Sequence, residues 1–369
     1  MNTSDIRVLH TEWSDAWGGQ EIRIINEMKA LRREGVKVFL ACRKNSIIKQ
    51  KAIENEIKVF DLPFRGNIDI YTLFLLIKII LKNSINIVNT HSGKDTWLGG
   101  FAAKLTRVNF IRTRHLSNRI NPSRFNFINE LADFIFTTGE VVRSDMINNN
   151  RINPNKIQSI PTGVDSDQFD PKKYDRDKNR KKYKIKPNDL VVGIVAVLRD
   201  SKRHDNFLKI ASKLKKNFPG KSFRFLIVGE GPMRKQIEEL IEKLSLKEDV
   251  DMLGHIENIP ELMSCLDIFL FTADRREGVP QVLMQALLMN IRTVSSNDGS
   301  SIDLHKNNNF LISDPSLKAL YQNIEMLIKN FDGDILSGNS RKFIVDSFAQ
   351  NIATKKILHA YQKLLINDA

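Results

Sequence analysis

Short apolar, β-branched runs alternate along the chain with longer stretches whose apolar positions recur every three to four residues. In the first half the runs are Arg7–His10, Val36–Ala41, Ile57–Phe60, Ile85–Val88, Phe110–Thr113 and Phe134–Thr137, with helical patterns near 20–34, 68–83, 95–106, 123–132 and 140–149. Strands separated by helices at this spacing predict a parallel sheet covered on both faces. Residues 171–189 break the pattern: they are dense in charge and bounded by Pro171 and Pro187, which reads as an interdomain connector or a solvated surface segment. The alternation then restarts with runs at Leu190–Ala196, Phe223–Val228, Val250–Leu253, Ile268–Phe271, Arg292–Ser295 and Phe310–Ile312, and 340–366 returns to helical periodicity. The longest apolar run, Leu73–Leu81, is interrupted by Lys78. It falls well short of the ~20 residues that cross a bilayer and reads as a buried helix face.

The pattern predicts an α/β protein of two doubly wound domains, and 369 residues is a fitting length for two. Charge narrows the partners. With 57 Lys and Arg against 43 Asp and Glu, the net charge of +14 favours anionic ligands: nucleic acid, phosphorylated small molecules or a lipid surface. No nucleic-acid reading module or aromatic–basic patch accompanies the charge, so no nucleic-acid partner is expected. Cys42 and Cys265 are too few for a disulfide scaffold or a cysteine-rich zinc site and fit a reducing cytoplasm. The first residues, Met1-Asn2-Thr3-Ser4-Asp5, show no basic region followed by an apolar stretch, so no signal peptide is apparent.

Ligands of doubly wound sheets bind beyond the carboxyl ends of the strands, so the chemistry is sought in loops that follow strands. Gly18-Gly19 lies between the first strand and a helix, where backbone N–H groups and a helix dipole can receive a phosphate; the pair also serves as a plain turn. The dinucleotide fingerprint G-x-G-x-x-G is absent, which counts against a dehydrogenase. After the strand 190–196 come Arg199, Lys202 and Arg203, a credible diphosphate site or a solvated helix start. Gly229-Glu230-Gly231-Pro232 ends another strand, where glycines suit close approach of backbone to a ligand or a structural turn. Asp274–Ala286 is a loop entering a helix. Glu277 precedes that helix and Gln285 sits eight residues on, roughly 12 Å along its axis. That reach suits contacts at two ends of an extended ligand, although Glu277 also simply favours a helix N-terminus.

In their order and spacing these stretches resemble the retaining GT-B glycosyltransferases of family 4, the "glycosyl transferases group 1" proteins. The resemblance runs through Gly18-Gly19-Gln20-Glu21, Ile160-Pro-Thr-Gly163-Val164-Asp165-x3-Phe169, Leu198-Arg199-x2-Lys202, Val228-Gly-Glu-Gly-Pro232 and Glu277-Gly-Val-Pro-x-Val-Leu-x-Gln285-Ala. It implies two Rossmann-like domains facing a cleft: an N-terminal, acceptor-binding domain over 1–170, a C-terminal, nucleotide-sugar-binding domain over 171–350, and a helix over 351–369 packing back toward the first domain. It further implies a UDP- or GDP-linked donor, a saccharide or lipid-linked saccharide acceptor, no cofactor and no metal. Arg199 and Lys202 take the place of the diphosphate clamp, with Gly18 and Gly19 also on the diphosphate. Glu277 takes that of the first Glu of the family's Glu-x7-Glu motif. Gly278, Val279, Pro280, Gln281 and Val282 stand where backbone meets sugar and phosphate, Gln285 where the second Glu holds the ribose, and Gly229 beside the nucleotide. His115 matches an active-site histidine near the reacting sugar and, with Glu277, is a catalytic candidate. His91 lines the acceptor side.

The departures from the family pattern are specific. Gln285 replaces a carboxylate and loses charge-assisted hydrogen bonding to hydroxyls. Arg199 stands two places later than the usual arginine, Arg203 occupies a glycine position, and Gly299-Ser300-Ser-Ile-Asp303 carries a shortened acid. The expected activity is transfer of a hexose with retention of configuration, in bacterial surface polysaccharide or lipopolysaccharide assembly. The expected location is the cytoplasm, including the cytoplasmic face of the inner membrane. Residues 1–165 hold 24 Lys and Arg against 16 Asp and Glu, compatible with peripheral docking on anionic lipid. Two alternatives share the fold: a sugar-nucleotide-binding scaffold that has lost activity, given Gln285 and Asp303, and an enzyme of the UDP-N-acetylglucosamine 2-epimerase type, which lacks the Glu-x7-Glu-like segment.

Overall fold

The computed structural model describes residues 2–115, 120, 127–274, 278–331, 336 and 339–367. They form two compact units, the first built from Met1–Gly163 and Gln350–Ala369, the second from Val164–Ala349.

In the first unit the buried runs become seven parallel strands: β1 (Arg7–Glu12), β2 (Lys37–Cys42), β3 (Lys58–Asp61), β4 (Ile87–Thr90), β5 (Asn109–Arg114), β6 (Phe134–Thr137) and β7 (Ile157–Ser159), in the order β3-β2-β1-β4-β5-β6-β7. Both faces are covered, which is why the central strands read as continuous apolar runs. Ile24, Met28 and Leu31 of the helix Gly19–Arg33 pack on one face with Ala353, Ile357 and Tyr361. Leu76 and Ile80 of the helix Ile70–Lys82 and Leu98 and Ala102 of the helix Gly93–Leu105 cover the other. The helix starts are capped locally: Asp69 accepts from the Thr72 amide at 3.1 Å, and Ser92 and Asp95 form a capping box.

The second unit repeats the plan with six parallel strands: β8 (Leu190–Val195), β9 (Phe223–Val228), β10 (Val250–Gly254), β11 (Ile268–Phe271), β12 (Arg292–Ser296) and β13 (Leu311–Ser313), in the order β10-β9-β8-β11-β12-β13. One face packs under Phe207, Leu208 and Leu214 of the helix His204–Asn217 together with Leu320 and Ile324; the other packs against Leu283, Met284 and Leu287.

Four expectations change. The charged segment 171–189 is part of the second unit, not a connector: Arg176 and Arg180 on the helix Arg176–Lys182 both grip the Asp267 carboxylate, at 2.5 Å each, and the unit boundary falls at Gly163/Val164. The helical pattern at 340–366 is two helices, Ser340–Phe348 and Gln350–Asn367, broken at an extended Ala349 where the chain returns to the first unit. Of the helix expected over 123–132, the described part holds only a 3-10 turn, Phe127–Asn129; the rest of its start lies outside the described residues. The apolar run Leu73–Leu81 is not a buried face alone, since Phe74 and Leu81 are exposed.

Candidate active site

The strand order of the second unit reverses between β8 and β11, which opens a crevice at their carboxyl ends. After β8 the chain makes a 3-10 turn, Asp200–Lys202, and passes through Arg203 in the left-handed region (φ 51°) into the helix His204–Asn217. The loop after β9 clasps this one: Leu198 N–H donates to Glu230 O at 3.0 Å and Met233 N–H to Leu198 O at 3.0 Å. A Cβ on Gly229, at φ +137°, would lie 2.0 Å from Ala196 O, and one on Gly231 would lie 2.6 Å from Leu198 O. Both glycines are therefore required by contact between the two loops. The Gly229 amide donates to Gly254 O at 2.8 Å and is already engaged within the sheet.

The clasp positions the cations differently from one another. Arg199 is exposed and makes no ion pair among the described residues. Lys202 is half-buried, its Nζ 5.6 Å from the centre of the Phe271 ring, and its carbonyl accepts from Thr272 Oγ1 at 2.7 Å. Arg203 is committed elsewhere: its guanidinium meets Asp205 Oδ1 at 2.8 Å and Asp274 Oδ2 at 2.8 Å, and these hydrogen bonds hold its pKa above the ordinary arginine value. Of the three cations in the sequence cluster, Arg203 is neutralised by carboxylates, and Arg199 stands exposed at the crevice.

Across the switch point, Gly278, Val279 and the N-cap Pro280 lead from β11 into the helix Gln281–Leu288. Val279 and Pro280 are buried; Gln281, Val282 and Gln285 are half-buried, and the Gln285 amide has no hydrogen-bond partner among the described residues. The first N–H groups of this helix have no acceptor within it, as at every helix start. Glu277 lies outside the described residues. Beyond β12, Ser300 is buried with its Oγ unpartnered, and Asp303 sits in the 3-10 turn Ser301–Leu304.

In the first unit the order reverses between β1 and β4, and three histidines form a chain there. His10 Nδ1 lies 2.9 Å from His91 Nε2, and His91 Nδ1 lies 2.9 Å from His115 Nε2. All three are buried. Burial holds the pKa of His10 down at about 3, and burial together with neighbouring cations holds His91 and His115 well below the ordinary value, so the chain is neutral. Each imidazole then has a single N–H, and each ring fixes the tautomer of the next. Thr138 Oγ1 donates to His115 O at 3.0 Å, and Thr113 Oγ1 to Asn89 Oδ1 at 2.8 Å.

A polar network surrounds the histidines. Asp95 accepts from Thr11 Oγ1 at 2.6 Å and from the His91 amide at 3.0 Å, and Arg112 donates to Ser92 O at 2.6 Å and to Thr96 Oγ1. Burial, then the Asp95 charge, pushes the Glu12 carboxyl up to about 8. Gly18 is the N-cap of the helix Gly19–Arg33, and its amide donates to Glu21 Oε2 at 2.9 Å. A Cβ there would meet only that carboxylate oxygen, at 3.5 Å, so protein packing does not require glycine at 18.

Sequence reasoning singled out His91 and His115 but missed His10, Glu12 and Asp95 as their surroundings. The available signal was a histidine and a glutamate at the carboxyl end of the first strand, Arg7–Glu12. Among the described residues no group of three or more His, Cys, Asp or Glu could hold a metal ion, and no helix is long and apolar enough to cross a membrane.

Comparison with known proteins places these features in a family. The family model "Glycosyltransferase Family 4" matches residues 17–168, and "Glycosyl transferases group 1" matches residues 175–337. The chain is 25% identical to UDP-Gal:alpha-D-GlcNAc-diphosphoundecaprenol alpha-1,3-galactosyltransferase of Escherichia coli, covering 99% of this chain and 98% of the relative. Its fold matches a glycosyltransferase from Rickettsia africae with a TM-score of 0.87 at 21% identity, over 98% of both chains. It also matches HepE from Anabaena, crystallised with UDP, with a TM-score of 0.83 at 16% identity over 97% of this chain and 100% of the other.

Proposed function

Because the chain belongs to the GT-B glycosyltransferases of family 4, we propose that it moves a hexose from a nucleoside-diphosphate sugar to a saccharide or lipid-linked saccharide, with retention of anomeric configuration, in bacterial surface-glycan assembly. The observation that supports this reading is the second unit's switch point itself: the loop carrying Arg199 and Lys202 follows β8, the start of the helix Gln281–Leu288 follows β11, and Arg203 is held by Asp205 and Asp274. A diphosphate needs this environment: a guanidinium fork, a point charge and amide hydrogens. The E. coli relative named for a UDP-galactose donor and a diphosphoundecaprenol acceptor supports the donor and acceptor classes.

In the proposed reaction the acceptor hydroxyl oxygen bonds to the anomeric carbon as the bond from that carbon to the diphosphate breaks. The acceptor proton passes to the departing diphosphate oxygen on the same face. Arg199 and Lys202 stabilise the charge that develops on the leaving group, with no metal required. Gly18 and Gly19 border the diphosphate, the Gly18 amide being engaged by Glu21, and Gly278 to Val282 meet sugar and phosphate. Glu277 contacts the donor sugar, Gln285 the ribose and Gly229 the nucleotide through its Cα surface, its amide being engaged. His115, neutral and oriented by His91, hydrogen-bonds the transferred sugar, and His91 lines the acceptor side.

Incubation of the purified protein with UDP- and GDP-hexoses and a saccharide acceptor in the presence of EDTA, with NMR analysis of the product linkage, tests the reading. An α-linked product from an α-linked donor is expected. An inverted product removes the retaining mechanism, and loss of turnover in EDTA that returns with a divalent ion removes metal independence. Donor binding without turnover on any acceptor supports the scaffold alternative. Lys202→Ala should weaken donor binding about tenfold to a hundredfold, the loss of one charge-assisted contact. Unchanged affinity would remove the clamp assignment. Gln285→Glu should tighten donor binding if the position holds the ribose.

A further inference from the structure

The helix Ile70–Lys82 is apolar on two faces. Thr72, Leu76 and Ile80 are buried in the first unit's core. At 100° per residue the side chains of Ile70, Tyr71, Phe74, Lys78, Leu81 and Lys82 fall within an arc of about 120° on the opposite side. There Ile70 is 75% exposed, Tyr71 57%, Phe74 63% and Leu81 64%, and Ile68, just before the helix, is 91% exposed. A surface helix ordinarily turns polar residues outward, and contiguous exposed apolar side chains mark an interaction site.

We propose that this outer face docks on an anionic lipid membrane, with the helix lying in the plane of the interface. Its charges select that occupant. The helix carries two exposed lysines and no acidic residue, and the Arg65 guanidinium lies 5.9 Å from the centre of the Tyr71 ring, where cation and aromatic together suit the headgroup boundary. Asp69, just before the helix, is buried and spent on the helix start, accepting from the Thr72 and Arg65 amides. Two copies meeting through this face would desolvate Arg65, Lys78 and Lys82 with no carboxylate on the helix to receive them; lipid phosphates do receive them, while the long basic side chains keep their heads in the headgroup layer. At 13 residues the helix is about 20 Å long, enough to rest on a bilayer and too short to span it.

The proposal gives the membrane contact a specific surface. Its bearing on catalysis rests on the lipid-linked acceptor proposed above. Co-sedimentation of the full chain with phosphatidylcholine vesicles, with and without phosphatidylglycerol, tests it in the absence of any sugar, so a failure to find donor or acceptor turnover leaves the result standing, and a failure to bind vesicles leaves glycosyl transfer standing. The wild type should pellet with the anionic vesicles at low salt. Ile70→Ser, Phe74→Ser and Leu81→Ser combined should lower the partition coefficient at least about tenfold, with an unchanged melting temperature because the three side chains are exposed. Lys78→Gln should lower it about fivefold at low salt, the difference fading as salt rises. A Phe74→Trp variant should show a blue-shifted emission on binding. The proposal is overturned if the wild type stays in solution, if the triple variant binds as the wild type does, or if the face proves to hold a dimer that the triple variant dissociates.

Discussion

His10 shows how much a single buried side chain can encode. Its folded-state pKa of about 3 lies far below the ordinary 6.5, because burial penalises the imidazolium. Between those values the unfolded chain binds a proton that the folded chain refuses. Stability from this residue is therefore fully present above pH 6.5 and is lost as the pH falls toward 3. His10→Asn keeps an N–H near the place of Nδ1, facing His91, and removes the titration. Urea unfolding at pH 7, 6, 5 and 4 should then show the wild type losing stability relative to the variant by up to about 1.4 kcal/mol per pH unit below 6.5. Glu12 acts in the opposite sense. Its carboxyl holds a proton in the folded state up to about 8, so its contribution is present below pH 4.5 and fades as the pH rises through 8. Comparing wild type with variant leaves Glu12 common to both. Parallel pH profiles would mean that His10 carries no depressed pKa. The triad also marks what a sequence conceals: resemblance to the family points to His115 and, more weakly, His91, but the contact through His91 to His10 spans 24 and then 81 positions of chain, and only folding of β1, β4 and β5 side by side brings the rings together.

Elements were legible where burial left a simple pattern. The central strands of both sheets match their apolar runs to within a residue or two, since a strand covered on both faces has little room for polar side chains. The edge strand β7 was missed because three residues, two of them half-buried, give no period to read. The helix Arg176–Lys182 was misread for the opposite reason: seven residues with five Lys and Arg look solvated, yet Arg180 is buried against the Asp267 carboxylate, and Asp267 Oδ2 also accepts from the Val191 amide at 2.8 Å. A lone acid ahead of an apolar strand gave no hint of that partnership. Asp267→Ala should cost about 2–3 kcal/mol in chemical denaturation, below the full value for breaking a buried ion pair because Arg176 is partly exposed. The loop clasp makes a sharper contrast. Gly229→Ala would set a Cβ 2.0 Å from a carbonyl oxygen at φ +137° and should destabilise by more than about 2 kcal/mol. Gly66→Ala, with open space around it and no left-handed φ, should be neutral or slightly stabilising. Equal effects at the two positions would refute the packing account of Gly229.

At the scale of the whole molecule the chain path itself makes a prediction. The second unit begins and ends side by side: Val164 N–H donates to Phe348 O at 3.0 Å, and Val164 pairs with Ala349 as a parallel bridge. It is inserted into the first, whose last helix follows 186 residues later. That helix is integral to the first unit: Tyr361 has no exposed surface, packs on Phe136 with ring centres 6.1 Å apart, and lies with Ile357 and Ala353 among Ile24, Met28 and Ile111. Removing residues 350–369 would uncover that apolar surface and expose the buried Arg23–Glu27 pair to water. A fragment spanning 164–349 should therefore unfold in one cooperative transition by far-UV circular dichroism, since its core and both its ends are self-contained. A fragment spanning 1–163 should bind a hydrophobic dye and lack a cooperative transition until the 350–369 peptide is added, when the transition should return with a midpoint that rises with peptide concentration. Cooperative unfolding of 1–163 alone, unaffected by the peptide, would show that the returning helix is an accessory to that fold and not a part of its core.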